Sequence, residues 1–461
     1  MRDEHPCAGS GQTDALYLVD DGETMFIAVD DTDSRTGNCT TFVATEIIRE
    51  LDDLDLIGNP RLVRLNPAVP WKTRGNASLV LQMGKGCGNK KKIGEISGRD
   101  IFSFETLEKE PDAEEILRRV IPAVLKNRSD GAESGIVVSE TRPDPSLYWS
   151  GVRTILTKDK VDRELERISA RTYTEEGGLG LIGAACGMAW MPGDSTYELI
   201  AYRDRKRWGT ERTVAPCSIR EMDAKFERTF NSWEERTEKV TMVPSTPCPV
   251  LYGLRGDKEE ELPEAAGAIV SEDPERWIVF LTNQGTDDHI ISEPTELIAG
   301  RSYRLPGTVS GRARRMKGGH VFIDVGTEFG EITCGAYEPS KEFRMLFDHL
   351  IPGDAIEVLG ELRSEPRTLN AEKVLVTDLA HDRTRSNPSC PKCGKNMKSA
   401  GKGQGYRCRE CRTRAKEPEI QEEARSLAPG WYEPPAAARR HLSKPLKRMN
   451  AEQPVEFVRY E

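Results

Sequence analysis

Phe26-Ile-Ala-Val-Asp-Asp-Thr-Asp-Ser34, followed closely by Gly37-Asn-Cys-Thr-Thr-Phe-Val-Ala-Thr-Glu-Ile-Ile-Arg-Glu-Leu51, is the stretch from which the chain is best read. Phe26 to Val29 is a short apolar run that stops at a carboxylate cluster. Beyond it, Val43, Ile47, Ile48 and Leu51 recur on one helical face. The order is strand, acidic loop, helix. Asp30, Asp31 and Asp33 repel one another unless a cation joins them. Hard oxygen ligands suit magnesium, and magnesium suits nucleotide phosphates. The plain alternative is an acidic turn. Position favours a ligand site, because a glycine and hydroxyls (Gly37, Ser34, Thr40, Thr41) surround the helix start, where backbone amides can hold phosphate. Either threonine could equally be the N-cap.

Working outward, Ala77 to Gln82 reads as a strand and Ala113 to Lys126 as a helix, with Ile116, Leu117, Val120, Ile121 and Val124 on its apolar face. Gly135 to Ser139 is another strand. This alternation predicts an α/β or α+β body. Val161 to Thr172 reads as a charged helix, and Tyr197–Tyr202, Val250–Gly253 and Trp277–Thr282 as strands. Lys85-Gly-Cys-Gly-Asn-Lys-Lys-Lys92 reads as a glycine-basic loop, able to wrap phosphate or simply exposed. Gly178, Gly180 and Gly183 spell G-x-G-x-x-G, but Tyr173 to Glu176 is not a buried strand. The dinucleotide context fails, and close helix packing accounts better for these glycines.

From Arg301 to Leu379 the pattern changes to short alternating strands with glycine turns. Five strands, with a helix near Glu342–Leu350 between the third and fourth, is the order of an OB-fold barrel. Arg312, Arg314, Arg315 and Lys317 fall in its first hairpin, where such barrels grip oligonucleotides. Then come Cys390-Pro-Lys-Cys393 and Cys408-Arg-Glu-Cys411, separated by 14 residues. Two C-x-x-C knuckles at this spacing predict a structural zinc site, because so short a segment needs metal to fold. Nine Lys/Arg against one acid between Ser386 and Lys416 predict a phosphate-contacting surface. The Pro/Ala-rich basic tail after it shows no convincing core.

The chain has 461 residues, 37% hydrophobic and 31% charged, with a formal net charge of -10. That length predicts about three domains, and that charge excludes a uniformly basic nucleic-acid coat. No apolar run is long enough for a membrane span. Eleven cysteines without an export signal predict a reducing, cytoplasmic setting.

Ala28-Val-Asp-Asp-Thr-Asp-Ser34, Gly37-Asn-Cys-Thr-Thr41, Arg74-Gly-Asn76, Ala201-Tyr-Arg203 with Trp208-Gly-Thr210, Val250-Leu-Tyr-Gly-Leu-Arg-Gly256 and Thr282-Asn-Gln-Gly-Thr-Asp287 run in order before the barrel and ribbon. Together they resemble the archaeal tRNA(Ile) 2-agmatinylcytidine synthetase (TiaS) family. The resemblance implies a multidomain α+β protein. Residues 25–145 would form an ATP-binding kinase-like domain and 146–299 a ferredoxin-like domain with a return segment. The OB-fold would take 300–380 and the zinc ribbon 386–416, between an N-terminal extension (1–24) and a basic tail (417–461). It also implies attachment of agmatine to the wobble cytidine of tRNA(Ile) with a CAU anticodon, with ATP consumed. Phosphorylating the cytosine 2-oxygen makes a leaving group that the agmatine amine displaces. On this reading Asp30, Asp31 and Asp33 hold magnesium, and Ser34, Gly37, Thr41, Lys85 and Lys90 serve ATP. Thr40 matches the family's autophosphorylated threonine. The agmatine site is expected near Tyr202, Arg203, Thr210 and Asp223. Two rivals are a non-catalytic RNA-binding protein, in which the acidic cluster would be idle, and another ATP-dependent RNA-modifying or ligating enzyme. The nucleotidyl-lysine motif K-x-D-G of a ligase is absent.

Overall fold

The strand–loop–helix unit expected at the start of the chain forms as read. In the computed structural model, Met25–Asp30 is the first strand (β1) and Thr40–Glu50 the first helix (α1). The structure describes residues 25–34, 37–73, 75–109, 111–175, 177–455 and 457. The expected N-terminal extension and Arg74 lie outside these residues. The chain divides into two units, Met1–Thr286 and Asp287–Glu461.

Unit 1 is built on one large sheet. Its further strands are β2 (Asp55–Ile57), β3 (Arg61–Arg64), β4 (Ala77–Ile96), β5 (Arg99–Lys109), β6 (Gly135–Ser139), β7 (Arg171–Thr174), β8 (Thr196–Tyr202) and β9 (Thr229–Phe230). A small hairpin, β10 (Trp233–Glu234) with β11 (Lys239–Val240), stands apart, and β12 (Val250–Gly256) and β13 (Arg276–Thr282) complete the set. The order across the sheet is β7-β6-β1-β4-β3-β13-β8-β12-β9, with β2 and β5 attached to β4. β1 is central to its half. It runs antiparallel to β4 and β6, so that Val29 opposes Leu79 and Ile136, and Asp30 opposes Gly135. The helices are α1, α2 (Ala113–Asn127), α3 (Pro145–Arg153), α4 (Lys158–Arg167), α5 (Leu179–Met188), α6 (Pro216–Lys225) and α7 (Leu262–Gly267). Val43 and Ile47 of α1, Leu51 just after it, and Ile116, Val120 and Val124 of α2 are buried in one core with Ile27, Leu81 and Ile136 of the sheet.

Two expectations are corrected here. The glycine-basic stretch is not a loop: β4 carries it through to Ile96 as one arm of a long hairpin, with register shifts at Lys85/Gly86, Cys87/Lys90 and Lys92/Gly94 absorbing the irregular residues. The charged helix is shorter, and Arg171–Thr174 leaves it to form edge strand β7 beside β6.

Unit 2 contains a small closed barrel. Ile290–Ile291 (β14) flanks Ser302–Val309 (β15), and the short Arg314–Arg315 (β16) pairs with Val321–Thr327 (β17). Gly330–Ala336 (β18), the helix Phe343–His349 (α8), Ala355–Leu362 (β19) and Leu369–Asp378 (β20) follow. β15 pairs with β17 and β19, β17 with β18, and β20 with β19 and, in parallel, with β18. That closure, with a helix after the third strand, matches the expected OB order. Arg383–Ser386 (β21) pairs with Glu419–Glu422 (β25) and brackets a three-stranded module of Lys398–Ser399 (β22), Tyr406–Arg407 (β23) and Arg414–Ala415 (β24). The tail does have a core, contrary to expectation. Gly430–Tyr432 (β26) adds to β20, and Tyr432, Leu442, Leu446 and Phe457 are buried. Among the described residues no helix is long and apolar enough to cross a membrane.

Candidate active site

The end of β1 delivers Asp30, and the chain then turns sharply. Asp31 has φ +53°, a left-handed conformation that aspartate tolerates better than most residues. Asp30 Oδ1 accepts the backbone N–H of Asp31 at 2.6 Å. The loop is held from several sides. Thr73 Oγ1 donates to Asp33 Oδ1 at 2.6 Å, and Ser134 Oγ to the Asp31 carbonyl at 3.1 Å. Ser129 donates its N–H to the Thr32 carbonyl and its hydroxyl to the Gly37 carbonyl, while Ser34 N–H also reaches Gly37.

Carboxylates crowd one another in this turn. Burial raises the Asp30 pKa well above the carboxylate range, and the charges of Asp31 and Asp33 add to it, against the single hydrogen bond from Asp31. Asp31 is raised too, by burial first, then by Asp33, Glu133 and Glu175. Glu133 and Glu175 were not anticipated. They precede β6 and follow β7, so the sheet order, not the sequence, brings them to Asp31. One oxygen of each is buried without a hydrogen-bond partner, as is the Thr32 hydroxyl. This donor set suits a hard divalent cation.

The G-x-G-x-x-G glycines belong to this site, for the reason the sequence suggested. A Cβ on Gly183 of α5 would lie 1.5 Å from Asp30 Oδ2, and one on Gly180 2.3 Å from the nitrogen of Gly135. Bare backbone lets α5 run against the end of β1 and the start of β6.

Thr40 and Thr41 open α1 and are buried, with Thr41 Oγ1 3.0 Å from Cys39 Sγ. Beneath them lies Tyr202, whose ring meets Phe42 edge-on at 5.8 Å. Burial drives the Tyr202 hydroxyl far above its ordinary pKa, with Cys39 the next contributor. Arg64, also missed, lies in the field of Asp33 and Cys39, although burial still lowers its pKa to about 10. It donates to the Gly75 carbonyl and to Gln284, while Asn283 clamps its backbone. Asn283 and Gln284 thus fasten β3 beside the acidic loop.

Other expected residues are not brought here. Lys85 lies six residues beyond Leu79 on β4 and Lys90 further still, about 20 Å or more of strand from the level of Asp30. Lys90 instead sits 4.5 Å over the Phe102 ring. The Arg203 side chain is 1% exposed, and its guanidinium is taken up by Glu272 (2.6 and 3.1 Å), Thr210 and the Glu211 carbonyl. Arg203 therefore builds the fold, whereas Thr210, which helps to hold its guanidinium, is itself exposed. Asp223, on α6, accepts from Thr229 of β9, which stands at the far end of the sheet order from β1, about 24 Å or more away across the ladder.

In unit 2 the four expected cysteines converge. The sulfurs of Cys390, Cys393, Cys408 and Cys411 lie within 4.8 Å of one another, with Cys390–Cys411 at 3.3 Å and Cys393–Cys408 at 3.5 Å. A tetrahedral site with Zn–S bonds of about 2.3 Å separates sulfurs by about 3.8 Å, so this set fits one zinc ion. Each knuckle is closed by backbone bonds, Gly394 N–H to Cys390 and Arg412 N–H to Cys408. Arg312, Arg314 and Arg315 are exposed but paired with Asp382, Asp324 and Asp348, and Lys317 is exposed.

The chain matches known proteins along most of its length. Family models for the TiaS TCKD domain, the TiaS FLD domain and the TiaS C-terminal zinc ribbon domain match residues 26–177, 178–289 and 387–427. The isoleucine-tRNA 2-agmatinylcytidine synthetase TiaS of Archaeoglobus fulgidus is 37% identical over 436 residues, covering 93% of this chain and 98% of that one. Its counterpart from Methanosarcina acetivorans is 38% identical over 440 residues, covering 92% and 97%. A crystal structure of TiaS in complex with its isoleucine tRNA and ATP superposes with a TM-score of 0.82 at 35% identity, covering 94% of this chain and 99% of that one. The complex of TiaS with that tRNA, AMPCPP and agmatine gives 0.79 at 32%, covering 94% and 98%. The chain belongs to the TiaS family.

Proposed function

We propose that this member of the TiaS family is an ATP-dependent carbon–nitrogen ligase that joins agmatine to the wobble cytidine of the isoleucine tRNA with a CAU anticodon. The observation that carries the reading is the half-buried carboxylate cluster of Asp30, Asp31 and Asp33 in the turn between β1 and α1, in a chain whose relatives are captured with an isoleucine tRNA, ATP and agmatine. We assign an ATP-binding, kinase-like part to the elements around β1, β4 and β6, and a ferredoxin-like part to those around β8, β12 and β13.

Asp30, Asp31 and Asp33, with Glu133 and Glu175 beside them, are the residues that would hold magnesium. When bound, it offsets charge on the ATP phosphates. Ser34, Gly37 and Thr41 line the turn into α1 and serve the nucleotide, and Thr40 is the residue we expect to be phosphorylated. The cytosine C2 carbonyl is a poor electrophile. Transfer of a phosphoryl group to its oxygen supplies a leaving group, and the agmatine amine then takes its place on carbon. The base must leave its stack to reach the cluster. The same carboxylates attract the cationic ends of agmatine. Barrel and zinc ribbon, with Arg312, Arg314, Arg315 and Lys317, hold the rest of the tRNA.

The test combines purified protein, ATP, magnesium and labelled agmatine with the unmodified isoleucine tRNA, alongside the same tRNA with another wobble base. Nucleoside mass analysis is expected to show cytidine heavier by agmatine minus water, only in the first tRNA and only with ATP. Asp30→Ala is expected to abolish this product while tRNA binding persists. Full activity of Asp30→Ala would remove the cluster from the mechanism, and tRNA binding with no product from the wild type would favour a binding-only role.

A further inference from the structure

The four cysteines of the zinc ribbon differ in how they meet solvent. Cys390 and Cys408, which open the two knuckles, are 2% and 1% exposed, whereas Cys393 is exposed and Cys411 half-buried. Each knuckle then turns through a left-handed residue, Gly394 (φ +71°) in the first and Arg412 (φ +62°) in the second. The second turn therefore carries a long side chain next to Cys411. The first is bare, and nothing lies within 4 Å of a would-be Cβ at Gly394. Pro391, Lys392, Lys395 and Asn396 around Cys393 are exposed too. One thiolate of the set thus stands open to small solutes.

Its surroundings are electropositive. Lys392 adjoins Cys393, Arg412 adjoins Cys411, and the module's one acid, Glu410, is paired with Lys395 at 3.2 Å. Reactive cysteines occupy partly exposed, electropositive settings, while buried structural ones are inert. A thiol that coordinates a metal is already deprotonated. Below the surface, the Cys393 sulfur lies 3.5 Å from that of Cys408. The core of the module is Cys390, Met397 and Cys408, with Tyr406, Cys411 and Ala415 packed half-buried against it. Two of those three core residues are zinc ligands, so little holds the ribbon once the ligand set is broken.

We propose that Cys393 is an oxidation site through which hydrogen peroxide switches the ribbon off. The Cys393 thiolate attacks one peroxide oxygen, the O–O bond breaks, and a sulfenic acid forms as hydroxide leaves. The Cys408 thiolate then attacks the Cys393 sulfur, the S–O bond breaks, and a second hydroxide leaves as the disulfide forms. The peroxide gains two electrons, and the two thiolates lose them. Cys408 resolves the sulfenic acid because displacement at sulfur is in line. The oxygen faces solvent, so the attacking group comes from the buried side, where Cys408 lies. Cys390 and Cys411 remain, two ligands of the four that a structural zinc site needs. Only the final consequence, loss of tRNA binding, rests on the reading that the chain acts on tRNA.

The experiment treats full-length, zinc-loaded wild type, Cys393→His and Cys411→His with hydrogen peroxide at neutral pH. Histidine removes one sulfur and keeps a four-ligand zinc set. A colorimetric chelator follows zinc release, and alkylation with mass spectrometry reports each cysteine. The wild type is expected to release one zinc per chain and to yield a Cys393–Cys408 disulfide, both reversed by dithiothreitol with added zinc. Cys411→His should release zinc like the wild type, and Cys393→His at least about 10-fold more slowly, since its remaining thiolates are shielded. Oxidised wild type should bind isoleucine tRNA at least about 10-fold more weakly than before treatment, because the phosphate contacts go with the ribbon's fold. Zinc release from Cys393→His at the wild-type rate would overturn the assignment. So would a wild type in which another cysteine, such as the exposed Cys217, is oxidised before Cys393; this order decides the matter even if a histidine variant fails to load zinc. Unchanged tRNA affinity after zinc release would refute the switch. A wild type that binds no tRNA before treatment defeats the functional reading instead, and leaves the oxidation site to be judged on zinc release and cysteine mapping.

Discussion

Gly183→Ala is the sharpest test of the active-site architecture. The added carbon would lie 1.5 Å from Asp30 Oδ2, 2.6 Å from its Cγ and 3.1 Å from its Cβ. Ordinary contact for such a pair is near about 3.5 Å, so about 2 Å of separation must be found. The Asp30 carboxylate cannot swing freely, since Oδ1 is tied to the Asp31 N–H. Helix α5 cannot easily lift either, because Gly180 is packed on Gly135 in the same way. Overpacking costs about 1–3 kcal/mol. Exchanging glycine for alanine inside a helix returns up to about 1 kcal/mol. The net expectation is destabilisation of about 1–2 kcal/mol, a melting shift of several degrees for a unit of this size. Activity should suffer far more, because a misplacement of about 1 Å at a reacting centre can cost about 100-fold. Gly193→Ala is the control, since nothing lies within 4 Å of its would-be Cβ. The assays are a thermal melt and agmatine incorporation at saturating tRNA. A Gly183→Ala protein with the melting temperature and turnover of Gly193→Ala would refute the claim that Asp30 is positioned by the bare face of α5.

Three further outcomes are expected. Arg203→Ala strips the buried Glu272 of its two-pronged partner and leaves it the exposed Arg207 at 3.4 Å and the Thr213 N–H, so we expect a loss of about 3 kcal/mol; a soluble, normally melting variant altered only in its KM for agmatine would restore the ligand role. Glu372 is buried, which alone would raise its pKa, but Arg440, His289 and Lys373 hold it at about 2. A depressed carboxylate contributes stability above its unfolded pKa and loses it as pH falls through the folded value. Unit 2 should therefore weaken as pH falls from 4.5, the ordinary glutamate value, to about 2, with Glu372→Gln less stable at neutral pH and less acid-sensitive; circular dichroism melts against pH decide this. Zinc removal by a strong chelator, or Cys408→Ala, should unfold the ribbon and weaken tRNA binding while the barrel melts normally; an apo-ribbon that keeps its amide NMR dispersion would contradict the metal's structural role.

Much of this molecule is written locally. The strand, acidic loop and helix of residues 26–51 are fixed by apolar periodicity and by carboxylates that no core accepts. The barrel follows from five alternating strands, and the zinc ribbon from two knuckles at a set spacing, because ligands so near in sequence need only local turns to converge. What the sequence could not settle depends on distant pairing. Lys85 and Lys90 resemble a phosphate loop until β4 extends to pair with β5 and carries them away from Asp30. Arg203 resembles a ligand-binding cation until Glu272, 69 residues later, takes its guanidinium. Glu133 and Glu175 look like ordinary surface acids until β6 and β7 line up beside β1 and press their charges on Asp31. The tail looks coreless until β26 finds the free edge of β20. Periodicity and short-range ligand spacing are local properties and survive in a one-dimensional reading. Charge compensation and strand neighbourhood are set by contacts tens to hundreds of residues apart, and only the tertiary fold decides them.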